Sequence, residues 1–406
     1  MNNFPEKPKE KRGIYMDHAA TTYIEPDIKK AMDLYFSDLF ANPAGLYGLA
    51  QEINGVLNDS RRSIAKILGA LSDNIIFTGS GTSSDNLAIF GTAYQHQEIG
   101  KHIITTKIEH KAVLEPCRRL EAQGFEITYL DVNEYGQIDI KKLKQAIRPD
   151  TILVSIMYAN NEIGTVEPIA EIGKEILKIR KENNSNFPYF HTDACQATGS
   201  LDLNVEKLHV DLMTINGSKM YGPKGIGVLY KRRGLVIQPM VLGGGQEMGL
   251  NSGTENIPNI VGIAKALELA QANKTVENKR LIELRDYFWQ EVKNKISNVR
   301  LNGSELGDES IRLPNNLNIS ILGIEGESAL LYLDSYGIAC STGSACNSKS
   351  LEASHVHVAC GLKHEEAHGS LRFTLGHRNT KEDIDYVMKY LPGIVEKLRE
   401  ISPIKI

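Results

Sequence analysis

The chain has 406 residues, with 46 Lys and Arg against 50 Asp and Glu, a net charge of −4. That length exceeds one minimal core and suits two domains. The near-neutral balance excludes the basic footprint of a nucleic-acid binder or of a protein drawn to an anionic membrane. Hydrophobic residues at 41% and charged residues at 24% describe a globular chain rather than a disordered one. The polar start lacks the apolar core of a secretion signal, and no apolar run approaches the roughly 18 residues of a membrane span. Cys117, Cys195, Cys340, Cys346 and Cys360 are odd in number and irregular in spacing, which argues for free thiols in a reducing cytoplasm.

In chain order, residues 1–13 read as a flexible arm. From about residue 75 to 230, short β-branched runs alternate with helical patterns. The strands are expected at Asn74–Thr78, His102–Thr106, Glu126–Leu130, Thr151–Met157, Tyr189–Thr192, Leu212–Asn216 and Ile226–Tyr230. Continuously apolar strands belong to a sheet covered on both faces. In Val166–Lys181, Ile169, Ile172, Ile176 and Ile179 fall on one helical stripe. The alternation predicts an α/β architecture, a mostly parallel seven-stranded sheet sandwiched by helices. Beyond about residue 258 the pattern changes. Two helices (Asn259–Ala272 and Asn278–Lys295), strands at Asn316–Leu322 and Ser370–Leu375, and a last helix Lys381–Ile401 capped by Thr380 and Asp383 predict a smaller α+β domain. The expected division is a large domain 14–262 and a small domain 263–406 joined by the arm 1–13.

Ligands of open α/β sheets bind at the carboxyl ends of the strands. After the first strand comes Thr78-Gly-Ser-Gly-Thr-Ser-Ser-Asp-Asn86. Its glycines and the following helix N-terminus suit a phosphate, although a plain capped turn fits as well. No Walker A lysine is present. After the others come Glu109-His110-Lys111, Asn160-Asn161-Glu162, Asp193 with Gln196, and Gly217-Ser218-Lys219. A lysine held in a pocket loses pKa and becomes nucleophilic. Together these pieces suit pyridoxal 5′-phosphate. That cofactor takes a lysine (Lys219), an acid for its ring nitrogen (Asp193), a phosphate cradle (Gly79–Thr82) and a ring-stacking group (His110). Cys340-Ser-Thr-Gly-Ser-Ala-Cys346 places a thiol among small residues, a setting for reactivity. Cys195 and Cys360 read as core. Arg372 in an apolar strand needs an anionic partner, either a substrate carboxylate or a structural carboxylate. His355, His357, Cys360, His364 and His368 match no standard zinc spacing and read as a polar loop and helix; no metal is expected.

With these residues in view, the chain resembles the cysteine desulfurases of the NifS/IscS-like group, fold type I enzymes related to the class V aminotransferases. The resemblance runs from about Tyr15 to Tyr390. It includes Met16-Asp-His-Ala-Ala-Thr-Thr22, Ser84-Asp-Asn-Leu-Ala88, Glu109-His-Lys-Ala-Val113, Asn160-Asn-Glu-Ile-Gly164 and His191-Thr-Asp-Ala-Cys-Gln196. It continues through Lys219-Met-Tyr-Gly-Pro-Lys-Gly225, Ser252-Gly-Thr254, Gly343-Ser-Ala-Cys346 and Leu371-Arg-Phe-Thr-Leu-Gly376. The resemblance implies the following roles. Lys219 attaches the cofactor, Asp193 pairs with its ring nitrogen, Gln196 bonds its hydroxyl, and His110 stacks on the ring and moves protons. Gly81, Thr82, Asn216 and Ser218 meet the phosphate, and Thr254 reaches it from the second subunit of a homodimer. Asn161 contacts both cofactor and substrate and, with Arg372, fixes the substrate carboxylate, while Cys346 receives sulfur.

The implied substrate is L-cysteine, and the implied acceptor of the persulfide sulfur is an iron–sulfur scaffold or a tRNA-thiolation protein. Direct nucleic-acid or membrane binding is not expected. A selenocysteine lyase or another class V aminotransferase is the neighbouring alternative, and a non-catalytic scaffold is the alternative of a different class. The chain departs from the family around the phosphate. Ser-Gly-His-Lys becomes Asn216-Gly-Ser-Lys219, Arg-Ser-Gly-Thr becomes Asn251-Ser-Gly-Thr254, and Asn-Pro-Ser-Ser-X-His becomes Asn42-Pro-Ala-Gly-Leu-Tyr47. Ser83 stands where Glu is common. Asn216 and Ser218 still donate hydrogen bonds.

Overall fold

A computed structural model describes residues 4–308, 310–342 and 353–402. Its strands are β1 (Ile14–Tyr15), β2 (Ile75–Thr78), β3 (His102–Thr106), β4 (Glu126–Leu130), β5 (Thr151–Ser155), β6 (Tyr189–Asp193), β7 (Leu212–Asn216) and β8 (Gly227–Lys231). They continue with β9 (Val299–Leu301), β10 (Asn316–Ile321), β11 (Ile338–Ala339) and β12 (Ser370–Thr374). The helices are α1 (Pro26–Ser37), α2 (Gly48–Leu68), α3 (Gly81–His96), α4 (Lys111–Glu121), α5 (Ile140–Ala146), α6 (Ile169–Glu182) and α7 (Val205–Leu208). They continue with α8 (Ile257–Lys295), α9 (Gly326–Ser335), α10 (His355–Ala359), α11 (His364–His368) and α12 (Lys381–Ile401).

The main sheet has the order β2-β8-β7-β6-β5-β3-β4. Only β8 runs against its neighbours; the other pairings are parallel. Successive residues feed opposite faces, as the two-residue strand period requires. Ile104, Val154, Met213 and Val228 enter one core with α1, α2, α6 and the first half of α8. Ile103, Leu153, Leu212 and Leu229 enter a second core with α3 and α4. Both faces are thus covered, which is why these strands carry unbroken apolar runs.

A further core lies under the antiparallel sheet β12-β10-β9, against α9 and α12. Ile14 and Met16 belong to it, because β1 pairs in parallel with β11. Residues 4–13 are not a free arm. Phe4 stacks on Tyr332 at 3.9 Å, the Tyr336 hydroxyl donates to the Pro5 carbonyl, and Arg12 pairs with Asp383. The predicted pair of helices after residue 258 is one helix, α8, of 39 residues and ~58 Å. The intervening Asn273–Glu277 contains neither Gly nor Pro, so nothing in it breaks the hydrogen-bond ladder. Its Ile260, Ile263 and Leu267 pack in the first core and its Leu281, Phe288 and Val292 under the small sheet. The Thr380–Asp383 cap is present, with the Thr380 amide donating to Asp383 at 3.1 Å.

Candidate active site

The carboxyl ends of β2, β3, β5, β6 and β7 open on one cavity of about 410 Å³. After β2 the chain turns at Gly79–Ser80 into α3, whose N-cap Ser80 accepts from the Ser83 amide at 3.0 Å. Gly81 and Thr82 line the cavity at this helix N-terminus. After β3, His110 caps α4: its Nδ1 accepts from the Ala112 amide at 3.1 Å. After β5 comes Asn161, whose carbonyl accepts from Arg372 at 3.0 Å. β6 ends on Asp193, which accepts from the Cys195 amide at 2.9 Å. Gln196 follows it and donates to the Ala19 carbonyl at 3.0 Å. β7 ends on Asn216, with Ser218 and Lys219 just beyond.

Lys219 donates through Nζ to the carbonyls of Ala19 and Ala20. Burial lowers its pKa, and the Arg372 charge adds to the effect. His110 is likewise lowered by burial. Arg372 is 3% exposed; it pairs with Asp17 at 2.8 Å, and its Nε is buried without a partner. Its backbone exchanges hydrogen bonds with Ser341 at 2.7 and 3.1 Å. These ten predicted residues line one cavity. Thr254 does not: it lies exposed in the loop before α8. Cys346 lies outside the described residues.

Several further groups line the cavity. Cys195 is buried as expected, yet it borders the cavity beside Gly81, and burial holds its thiol well above the usual range. Asp85 and Glu162 are buried carboxyls. Burial raises the Asp85 pKa well above the usual carboxylate range, and Asp193 adds to it. Burial pushes Glu162 up to about 7 against the hydrogen bond from Ser354. His355 lines the cavity and donates from Nε2 to the Glu109 carbonyl at 2.9 Å. It is not part of a polar surface loop, and neither is the fully buried His357. Only the wider repertoire of buried polar residues near strand ends could have signalled them.

Residues 14–387 match the aminotransferase class-V family. The cysteine desulfurase IscS of Dictyoglomus turgidum is 51% identical over 395 residues, covering 97% of this chain and 98% of that protein. The chain belongs to the class-V aminotransferases, in their cysteine desulfurase group. The IscS of Methanosarcina thermophila is 49% identical over 395 residues, 97% of this chain and 95% of that one. Among solved structures, a NifS-like protein superposes with a TM-score of 0.86 at 34% identity, covering 95% of this chain and all (100%) of that one. A structure titled SspA in complex with cysteine gives 0.77 at 35% identity over 89% and 98% of the two chains.

Cysteine desulfurases of this family depend on pyridoxal 5′-phosphate, and the cavity fits that group. A Cβ on Gly81 would stand 2.9 Å from both Asn216 Nδ2 and Cys195 Sγ, so the glycine keeps open a cradle at a helix N-terminus. The Asn216 amide nitrogen lies beside Gly81 there and can donate to an anion. A lysine amine and a strand-end carboxylate complete the donor set. Of the family departures, Asn251 turns away to donate to the Phe77 carbonyl at 3.0 Å, and Ser83 closes on Ser80 at 3.0 Å.

Proposed function

We propose that this protein is a cysteine desulfurase that takes sulfur from L-cysteine, releases L-alanine and holds the sulfur as a persulfide on Cys346. The observation that carries this reading is the convergence of Lys219, Asp193 and Arg372 on the lining of one cavity. Desulfurase relatives near 50% identity over almost the whole chain and the cysteine complex of a similar fold support it.

Lys219 would hold the cofactor covalently, Asp193 would hold its ring nitrogen and Gln196 its hydroxyl, and His110 would pack against its ring. Gly81, Thr82, Asn216 and Ser218 would hold its phosphate. When bound, the cofactor supplies an electron sink next to the substrate's Cα. Arg372 and Asn161 orient the substrate carboxylate. Once the substrate's own amine has displaced it, the Lys219 amine, low in pKa through burial, takes the α-proton. The Cys346 sulfur forms the S–S bond as the substrate's C–S bond breaks. The C–S electron pair stays with Cβ, which gains a proton, the α-proton held by Lys219 returns to Cα, and alanine leaves. The sulfur then passes to an acceptor protein, an iron–sulfur scaffold or a tRNA-thiolation protein.

The working form is a homodimer in the cytoplasm. Phe40, Leu46 and Leu242 are large apolar side chains at 69%, 95% and 80% exposure, which supports a subunit contact. Thr254, outside its own cavity, then serves the phosphate site of a second copy. The division into a domain 14–262 and a domain 263–406 is supported by the separate cores that α8 joins. Among the described residues no helix is long and apolar enough to cross a membrane.

The deciding experiment is alanine release from L-cysteine with pyridoxal phosphate and a reductant. The natural chain releases alanine and Cys346→Ala does not. Release that survives Cys346→Ala points to another class V reaction, and none from the natural chain points to a scaffold.

A further inference from the structure

The cavity holds two imidazoles whose hydrogen bonds fix opposite tautomers. His110 Nδ1 faces the Ala112 amide, 3.1 Å away. An amide N–H only donates, so this nitrogen carries the lone pair and neutral His110 has its proton on Nε2. His355 Nε2 faces the Glu109 carbonyl, 2.9 Å away. A carbonyl only accepts, so Nε2 carries the proton and Nδ1 is the basic nitrogen. The His355 ring is tied to Glu109, the other ring belongs to the next residue, His110, and both line the cavity. His110 therefore offers a proton and His355 offers a lone pair.

Resting on the desulfurase reading of this cavity, we propose that His355 is a catalytic residue, the base for the sulfhydryl of the substrate cysteine. Its Nδ1 takes the thiol proton. The S–H bond breaks with its electron pair left on sulfur, the N–H bond forms, and the imidazolium keeps its Nε2–H on the Glu109 carbonyl. That proton then goes to the carbon that loses sulfur, so no outside acid is consumed. The setting keeps the ring neutral and ready. Burial lowers its pKa, and the facing Lys111, Arg118 and His110 add to the effect against the carbonyl of Glu109. Ser354, the preceding residue, is anchored on the buried Glu162 carboxyl, which fixes the start of the turn that presents the ring. General bases of this kind contribute about 10²–10⁴-fold.

The test uses the full chain loaded with pyridoxal phosphate and compares two reactions: alanine release from L-cysteine, and α-hydrogen exchange of L-alanine in heavy water. The second has no thiol to deprotonate. His355→Ala is expected to slow alanine release about 10²-fold, to keep exchange within about threefold of the natural chain, and to regain release when imidazole is added. Nitrogen NMR of the cofactor-free natural chain should show His355 Nδ1 as the unprotonated nitrogen. Equal loss of both reactions marks a structural residue and overturns the proposal. Release within about threefold of the natural chain, or a protonated Nδ1 in the neutral ring, overturns it as well. A natural chain that releases no alanine overturns instead the desulfurase reading on which it rests.

Discussion

Asp17 and Arg372, 355 positions apart in the chain, meet through an ion pair of 2.8 Å at the rim of the small sheet. The pair joins the two readings the sequence left open for this arginine. Asp17 and the Asn161 carbonyl hold its terminal nitrogens, and Nε is buried without a partner beside the cavity. A carboxylate thus fixes the guanidinium of an arginine that lines the cavity. Asp17→Asn keeps the shape and removes the charge. Steady-state alanine release should show KM for L-cysteine raised about tenfold with a smaller change in kcat, since the lost interaction orients bound substrate. An unchanged KM would show that Arg372 needs no such anchor.

The Gly81 cradle makes a prediction about cofactor affinity alone. A side chain there meets Asn216 Nδ2 and Cys195 Sγ at 2.9 Å. Gly81→Val should weaken pyridoxal phosphate binding at least about tenfold, because it blocks the backbone approach that an anion needs at a helix N-terminus. Fluorescence titration of the cofactor-free chain measures this directly. Circular dichroism should remain that of the natural chain.

The loop ahead of α8 is pinned by one buried acid. Glu247 takes both terminal nitrogens of Arg61, at 2.8 and 2.6 Å, and the Phe77 amide at 2.7 Å. Removing one member of a buried pair leaves the other charge uncompensated, at about 3–5 kcal/mol. Glu247→Ala should lose stability on that scale in denaturant unfolding. Replacing both residues with apolar side chains should recover much of it.

A second buried acid sets a pH slope. Burial raises Glu167 from the ordinary 4.5 to about 8, against the Ile138 amide that donates to it. Between those values the folded chain keeps a proton that the unfolded chain has lost. Its contribution is therefore full below about 4.5 and is lost as pH rises toward 8. Glu167→Gln cannot ionise. Its melting temperature should exceed that of the natural chain at pH above 8 by a few degrees and converge with it near pH 5.

The strands and the residues that leave them were readable because burial on both faces imposes unbroken β-branched runs and puts every ligand group at a strand's end. Lys219, Asp193 and His110 leave strand ends and line the cavity, as that logic expects. His355 does not leave a strand end: it opens a short helix on no sheet strand and acquires meaning only through Glu109, 246 positions away. Asp17 sat in a quoted motif without a role for the same reason. Local pattern cannot announce a partner supplied by the other end of the chain. The single long helix α8 was split because its stripe changes partners midway, from one core to another, and the change resembles a break.

Strand β1 pairs with β11, Asp17 bridges to Thr374, and Phe4 lies on Tyr332. Residues 4–17 therefore wait for residues made more than 300 positions later. During synthesis the large sheet can close as soon as residue 231 is available, but Asp17 has no partner until Arg372 has been made. A nascent or truncated chain can assemble the phosphate cradle and the lysine without the arginine. On the proposed roles such a chain would bind cofactor before it could orient substrate, and the full constellation is confined to chains that extend past residue 372.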